Sequence, residues 1–176
     1  SNRLTVEETL VDCIQTLSSE ADVNAAVNRF LETICRFYAA DRAYIFEYRE
    51  NHIDNTFEWC VPGILRQIAV LKNIPMEYIR DWNHKFKIDG EFFITSLDKD
   101  LAVDSPDYRI LKDQGIESLA AAPLKKNGQI IGFLGVDNPT ESTEDLSLLR
   151  SVCSFVLEER ERRRLIQTLE LFSYTD

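Results

Sequence analysis

The sequence contains no hydrophobic run long enough to cross a membrane. No apolar stretch approaches the about 18–20 residues that a membrane-spanning helix needs. The first residues are polar and acidic, and they lack the apolar segment of a secretory signal peptide. We therefore expect a cytoplasmic domain that makes no contact with the membrane.

Paired cysteine motifs are also absent. The four cysteines, Cys13, Cys35, Cys60 and Cys153, are scattered and form no Cys-x-x-Cys pair. This spacing argues against a zinc site and against a disulfide framework, and it fits a reducing compartment.

Basic residues are too few for a nucleic-acid-binding surface. Twenty Lys and Arg face thirty Asp and Glu, so the net charge is −10. Because phosphate backbones are bound by basic surfaces, we expect no nucleic-acid partner.

No catalytic constellation can be assembled from the sequence. It has no Ser-His-Asp or Cys-His arrangement that can be argued, no phosphate-binding glycine loop and no His-Glu-x-x-His motif. The two histidines, His52 and His84, have no clustered partners, and a haem would need such a residue as its axial ligand. We expect no enzyme activity in this chain, no metal and no haem.

The stretch from Glu117 to Pro139 predicts a buried β-hairpin. Asn127-Gly128 suits the positive φ angles of a two-residue hairpin turn. The flanking segments 118–124 and 130–136 are apolar on both faces, which indicates central strands covered on two sides. Gly132 and Gly135 within them suggest close approach by a packed helix or a ligand.

The remaining pattern predicts antiparallel strands and blocks of helices, an α+β fold rather than a doubly wound sheet. A second strand is expected to alternate through Ile53, Phe57, Trp59 and Val61, and a helix is expected over Ile64 to Leu71. The predicted elements are helices at about 6–18 and from Asp22, strands at 42–50 and 53–61, helical pieces at 64–71 and 76–85, an edge strand at 92–94, a helix at 105–115, the hairpin, and a last helix at about 143–172.

The last helix changes character along its length. Its first half carries Leu149 and Val156 on an apolar face, whereas residues 158–164 are all charged. Apolar residues then resume at heptad-like spacing with Leu165, Leu169 and Phe172. We predict a domain at 3–157 and a helical connector at 158–176, with these five apolar residues as candidates for a dimer or signalling helix. A solvated tail is the alternative.

Several short segments between residues 58 and 137 form a combination that is specific when taken together. They are Glu58-Trp59-Cys60, Gly63-Ile64, Gln67, Asn73-Ile74-Pro75, Leu111, Gly115-Ile116, Ser118-Leu119, Pro123-Leu124, Asn127-Gly128 and 131–137. With them the chain resembles, over about residues 23–157, the GAF domain, the small-molecule sensor module of bacterial signalling proteins. The resemblance implies a five- or six-stranded antiparallel sheet, related to the PAS fold, with the terminal helices on one face and a ligand pocket under a helical excursion on the other. It also implies a homodimer formed through the terminal helices.

The last six residues resemble the connector that precedes a GGDEF diguanylate cyclase domain. They read Leu-Phe-Ser-Tyr-Thr-Asp, and the Thr-Asp pair is the part that carries the similarity. The resemblance implies that this sensor controls a C-terminal output domain in cis, a diguanylate cyclase. A histidine kinase output stays open.

Aromatic residues and one cysteine are the candidates for the implied pocket. Pockets for small molecules are mainly apolar and aromatic, with a few polar groups that orient the ligand. The alternative for each is a place in the core. The candidates are Trp59, Cys60, Trp82, Phe86, Phe93 and Tyr108.

The ligand motifs of known family branches are incomplete here. Cyclic-nucleotide-binding members carry Phe-x-x-x-Asp-Glu, but here Phe133 and Asp137 are followed by Asn138. Bilin-binding members attach the chromophore to a Cys usually followed by His, and no cysteine here precedes His. We expect an unknown small molecule, no cofactor and no bilin. Two alternatives remain: a catalytic or redox domain using Cys60, such as a methionine sulfoxide reductase, and a dimerisation module without a ligand.

Overall fold

The computed structural model describes residues 5–19 and 21–173 of the chain. It has six helices, one short 3-10 turn and six strands in this part. In order they are α1 (Val6–Ser19), α2 (Val23–Phe37), β1 (Arg42–Tyr48), β2 (His52–Cys60), β3 (Ile74–Pro75), the 3-10 turn (Met76–Ile79), α3 (Arg80–Asp89), β4 (Phe92–Ile94), α4 (Leu97–Asp100), α5 (Pro106–Asp113), β5 (Leu119–Lys126), β6 (Gln129–Asp137) and α6 (Ser147–Ser173).

The strands form a single antiparallel sheet in the order β3-β2-β1-β6-β5-β4. The predicted hairpin is its centre: β5 and β6 pair through Lys126 and Gln129. Asn127 and Gly128 have φ angles of 53° and 79°, as a two-residue primed turn requires. The prediction of an α+β fold with a central hairpin is therefore confirmed.

Two hydrophobic layers cover the two faces of the sheet. One layer buries residues of α1, α2 and α6, including Phe30, Ile34 and Leu149, against the sheet. The other layer joins the opposite face of the sheet to α3, through Trp82 and Phe86, and to α5, through Leu111 and its neighbours. This second layer is where a pocket under the helical excursion is expected.

The central glycines accommodate strand β1, not a helix or a ligand. A Cβ added to Gly132 would overlap the carbonyl oxygen of Phe46. A Cβ at Gly135 would lie 2.7 Å from the Tyr44 ring, which covers this position. The interpretation in terms of close helix packing is therefore wrong at these two positions, because the close neighbour is the adjacent strand.

An irregularity in β2 changes which face its side chains occupy. Ile45 pairs with Phe57 but Phe46 pairs with Asn55, so Thr56 is an extra residue, a β-bulge. Ile53 consequently packs in the α3 layer, while Phe57 packs in the layer of terminal helices. The prediction that these residues share one face is wrong, because one inserted residue reverses the alternation.

The helix predicted over 64–71 does not form. The segment is a series of turns held by side chains from the sheet. The Glu58 carboxylate accepts hydrogen bonds from the amides of Gln67 at 2.8 Å and Ile68 at 3.4 Å, and the Leu65 carbonyl accepts one from Arg42 at 2.7 Å. These groups are thereby satisfied without helical hydrogen bonds.

The last helix begins at Ser147, later than the predicted Thr143. Ser142 has a positive φ of 55°, and the Asp145 side chain accepts the Ser147 amide at 2.9 Å and caps the helix there. From Ser147 the helix continues without a break to Ser173. None of the helices in the described residues combines the length and hydropathy of a membrane span.

Candidate functional site

A small cavity lies between the sheet and the α3–α5 excursion. Its volume is about 50 Å³. That is more than the about 10–15 Å³ that a water needs and less than the roughly 300–1,000 Å³ of typical ligand pockets. The walls are Arg42, Tyr44, Phe46, Ile53, Asn55, Leu71, Ile74, Tyr78, Ile79, Trp82, Asp107, Ile110, Leu111, Gln114, Ile116 and Phe133.

A buried charge network forms one end of the cavity. The Arg42 guanidinium donates to Asp137 at 2.7 Å, and the Tyr44 hydroxyl donates to the same carboxylate at 2.6 Å. Gln114 accepts a further Arg42 hydrogen bond at 3.3 Å. Burial raises the pKa of Asp137 to about 6, although Arg42 and Tyr44 act in the opposite direction.

Glu58 connects this network to the segment that follows β2. Its buried carboxylate lies 3.4 Å from Arg42 Nε and 3.3 Å from Arg66 Nε. It also accepts the amides of Gln67 and Ile68. One carboxylate thus positions both the guanidinium beneath the cavity and the loop beside it.

The excursion is fastened over the cavity by hydrogen bonds from aromatic side chains. The Trp82 indole donates to Asp107 at 2.9 Å, which joins α3 to α5. The Tyr48 hydroxyl donates to Asn83 at 2.5 Å, which joins α3 to β1. These hydrogen bonds fix α3 over the cavity, because they join it to α5 and to β1.

Asn55 is the unusual residue of the cavity. It is 1% exposed, and neither its side-chain oxygen nor its side-chain nitrogen has a hydrogen-bond partner among the described residues. Its backbone is fixed, because its amide donates to Leu71 at 2.9 Å and its carbonyl accepts from Lys72. A buried amide without partners costs about 1–3 kcal/mol, so a polar group that binds it, from a water or a ligand, would stabilise this site.

The six predicted pocket residues divide between three places. Trp82 lines the cavity. Phe86 and Tyr108 lie in the same hydrophobic layer as Trp82 but are not part of the cavity wall. Trp59 and Phe93 lie on the other face of the sheet, where Arg36 sits over the Trp59 ring at 5.3 Å. The structure does not bring these two to the cavity: the Thr56 bulge turns Trp59 away, and in β4 it is Phe92 that faces the α3 layer.

Cys60, the sixth candidate, lies half-buried at the end of β2. Burial raises the pKa of its thiol above the ordinary value, although Arg42 lowers it. Burial raises the pKa values of Cys13, Cys35 and Cys153 to about 12. Since the thiolate is the reactive form, these environments disfavour the redox alternative.

The five candidate residues of the signalling helix lie in two environments. Leu149 and Val156 are buried against the sheet within the domain, so they do not face outward. Leu165, Leu169 and Phe172 are exposed on the distal part of α6. The charged segment between them still contacts the domain, since Arg160 pairs with Glu47 at 2.8 Å. Residues 174–176, which complete the connector-like ending, lie outside the described residues.

Sequence reasoning did not identify Arg42 or Asn55 as site residues. An arginine opening an apolar strand and an asparagine at an apolar position of an alternating strand were the available signals. Neither indicates a cavity unless the bulge at Thr56 is known. No group of three or more potential metal ligands occurs within 5–19 and 21–173.

Comparison with known proteins identifies the architecture. Residues 22–157 match the family model described as GAF domain. No curated protein gives a significant match. Among solved structures, the phycoerythrobilin-bound GAF domain of a cyanobacterial phytochrome matches with a TM-score of 0.74 and 14% identity over 93% of this chain and 98% of that chain.

Two further structures show the same fold. A phycocyanobilin-bound GAF domain of a cyanobacterial phytochrome gives a TM-score of 0.72 at 14% identity, covering 92% of this chain and 97% of that one. The GAF domain of an Acinetobacter phosphoenolpyruvate-protein phosphotransferase gives 0.68 at 12% identity, covering 93% and 97%. At these identities the likeness establishes the fold alone.

These neighbours overturn the prediction that the domain takes no cofactor and that a bilin is excluded. That prediction followed from the absence of a cysteine before a histidine. Two of the matching structures hold bilins on this same fold. Bilin binding is therefore compatible with the architecture, and the missing dipeptide is no ground for excluding it.

Proposed function

Since the chain belongs to the GAF domain family, we propose that it is the small-molecule sensor of a bacterial signalling protein. In this proposal the ligand enters the cavity beneath α3, and its binding regulates an output domain that follows α6. The ending of the sequence supports a diguanylate cyclase as that output. The domain itself then carries no catalytic step.

One observation carries the proposal: the cavity has mainly apolar walls, and they include the buried side chain of Asn55, neither of whose polar atoms has a partner among the described residues. A protein that used this layer only for stability would gain by filling the space and pairing or removing the amide. A ligand site needs both features, because apolar walls give affinity and unpaired polar groups give orientation.

A bilin meets only part of the requirements of this site. Asn55 can pair with a carbonyl or a ring N–H, both of which a linear tetrapyrrole carries. The volume of about 50 Å³ is far below that of a four-ring chromophore. Such a ligand would require α3 and the 71–79 segment to move outward, so we derive no step that involves a bilin.

Two ion pairs provide a physical route from the cavity to the last helix. Glu47, which follows the cavity residue Phe46 in β1, pairs with Arg160 of α6. Glu91, just after α3, pairs with Arg150 nearer the start of α6. A ligand that displaces α3 would act on both, provided that it binds two arrangements of the domain with different affinity.

Native mass spectrometry of the gently purified domain tests the proposal, together with an absorption spectrum. We expect a retained small molecule, and a visible band if that molecule is a bilin. A ligand-free mass in protein taken directly from its own host would favour the alternative of a dimerisation module.

The transmission step is tested in the intact parent protein. Inserting one residue after Arg164 rotates everything beyond it by about 100°. We expect the ligand response of the output activity to be lost and to return when the insertion is extended to seven residues, which restores the phase of a heptad. An unchanged response to the single insertion would exclude transmission through this helix.

A further inference from the structure

We propose that Asn55 selects the ligand, and that the ligand is an uncharged, flat molecule presenting an N–H beside a C=O, as in a lactam, a cyclic imide or the edge of a heterocyclic base. This inference rests on the proposed sensor function and assigns its ligand chemistry. A primary carboxamide has one acceptor and two donors in a plane, so its complement is a cis amide edge.

Asn55 is the buried side chain of the cavity wall whose nitrogen and oxygen atoms both lack a partner within the described residues, and the half-buried Tyr78 also lines the cavity. Gln114 is committed, because its oxygen accepts from Arg42 and its nitrogen donates to the Ile110 carbonyl at 2.9 Å. Tyr44 is committed to Asp137, and Trp82 donates to Asp107. Both polar atoms of Asn55 lack partners, so in either orientation the amide keeps its acceptor and both of its donors for a ligand.

Arg42 does not supply a free positive charge. Its two terminal nitrogens bind Asp137, Gln114 and the Leu65 carbonyl. Its Nε has no hydrogen bond but lies 3.4 Å from the Glu58 carboxylate, so the charge at this atom is also matched. The guanidinium therefore supports the structure of the site and is not available to bind a ligand.

The charges around the cavity disfavour an anionic ligand. The carboxyl groups of Asp137, Glu58 and Asp107 are buried beside the cavity. Arg42, the buried cation among the described residues, is already paired with Asp137 and Glu58. Arg66 and Lys72, which contact Glu58 and the Asn55 carbonyl, have exposed side chains. Burying another negative charge here without a free buried cation would carry a large desolvation cost. Carboxylates and phosphates are therefore poor candidates, whereas a neutral amide is suited to the site.

The walls favour a flat ring. Phe46 and Phe133 stack with ring centroids 5.0 Å apart, and Trp82 lies 5.4 Å from Phe133. Aromatic faces of this kind pack well against a planar ligand. Because the Asn55 backbone is bonded to Leu71 and Lys72, the backbone position from which the side chain extends is fixed before the ligand arrives, which reduces the entropy cost of binding.

Fragment probes test the inference directly. We would titrate the ¹⁵N-labelled domain with 2-pyridone, N-methyl-2-pyridone and benzoate, and follow the side-chain signals of Asn55 and Trp82 by NMR. A six-membered ring needs more space than the about 50 Å³ of the cavity, so 2-pyridone must move α3 outward to enter. We expect it to bind with a millimolar Kd. The N-methyl compound lacks the N–H and should bind about tenfold or more weakly, and benzoate should not bind at the site.

Asn55→Leu is the matched variant, because leucine has a similar size and no polar atoms. It should weaken 2-pyridone binding by about tenfold or more and abolish the preference over the N-methyl compound. Without a probe its Tm should equal or exceed that of the wild type, because an unpaired buried amide has been removed. Asn51→Leu, in the exposed β1–β2 turn, is the control and should leave binding unchanged.

Three results would overturn the role of Asn55: equal binding of the two pyridones, undiminished binding by Asn55→Leu, or no response of Trp82 to 2-pyridone at its solubility limit. A lowered Tm in Asn55→Leu would also count against it, because the amide would then have a partner in the protein. If native mass spectrometry nevertheless finds a retained ligand, the sensor function stands and only the assignment of its chemistry fails.

Discussion

At the residue scale, the separation between β1 and β6 is set by Gly132. A Cβ at this position would collide with the Phe46 carbonyl, which is backbone and cannot rotate away. Gly128, by contrast, has open space around its Cα but a positive φ of 79°. The two glycines are therefore required for different reasons, one for its lack of volume and one for its conformation.

We predict that Gly132→Ala costs about 3 kcal/mol in the free energy of unfolding, since overpacking the sheet centre forces β1 away from β6. Gly128→Ala should cost about 1 kcal/mol, the strain of a left-handed residue. Urea unfolding of both variants measures the difference. Equal losses would show that β1 adjusts without cost.

Asp137 gives the domain a specific pH dependence. Its folded-state pKa is raised by burial to about 6 from 3.8, with Arg42, Tyr44 and Asp41 as its charged or titratable neighbours. Between these two pH values the folded protein holds more protons than the unfolded chain. The contribution of this group to stability therefore increases as pH falls through about 6 and is lost as pH rises.

We predict that lowering the pH from 7 to 5 stabilises the wild type, relative to Asp137→Asn, by about 1 kcal/mol. The comparison with the variant removes the opposite effect of carboxyl groups with lowered pKa values, such as Asp54 and Glu159. Urea titrations at the two pH values give the difference. Parallel pH profiles for the two proteins would place the pKa of Asp137 in its ordinary range.

Local turn chemistry made part of this fold predictable. Asn127-Gly128 identified the central hairpin because few residue pairs accept two positive φ angles. The Thr56 bulge has no comparable signal, and one inserted residue moved Trp59 to the helical layer. The cavity and the unpaired state of Asn55 depend on that bulge, so the candidate site was less predictable than the sheet.

At the element scale, an arginine of α6 binds the end of α1, in addition to the hydrophobic layer that the two helices share. Arg163 donates to the carbonyl of Leu17 in the last turn of α1 and to that of Ala21 in the link that follows, and it also contacts Glu159. Carbonyls at a helix C-terminus lack partners within the helix, so a cation there satisfies them and complements the helix dipole. The charged middle of α6 is thus a docking segment as well as the start of a connector.

We predict that Arg163→Met costs about 1–2 kcal/mol and speeds hydrogen exchange in α1. Arg164→Met is the control: its side chain is exposed and its ion pair with Glu161 spans 4.0 Å, so the cost should stay below about 0.5 kcal/mol. Hydrogen exchange followed by mass spectrometry resolves the two. Unaltered exchange in α1 of Arg163→Met would mean that the hydrophobic layer alone holds this helix.

At the scale of the whole molecule, the distal part of α6 exposes two leucines on one side of the helix. Leu165 and Leu169 are 58% and 67% exposed, and Phe172 continues the same side of the helix one turn later. With 100° per residue these three lie within about 60° of one another, while Leu171 lies on the opposite side. Such a seam is typical of two helices that pack as a coiled coil.

We predict that the domain dimerises through this seam. In sedimentation equilibrium, Leu169→Glu should weaken the dimer at least tenfold, because a buried charge at the seam has no partner. Leu171→Glu is the control, because it makes the same substitution at the same distance from the domain. It should leave the association constant within about twofold, since residue 171 faces water in the dimer as well. The two variants distinguish a specific helix–helix seam from general apolar attraction. If both weaken association alike, the α6 helices do not pair along this side. The expected dependence of the output activity on helix phase would then also be wrong.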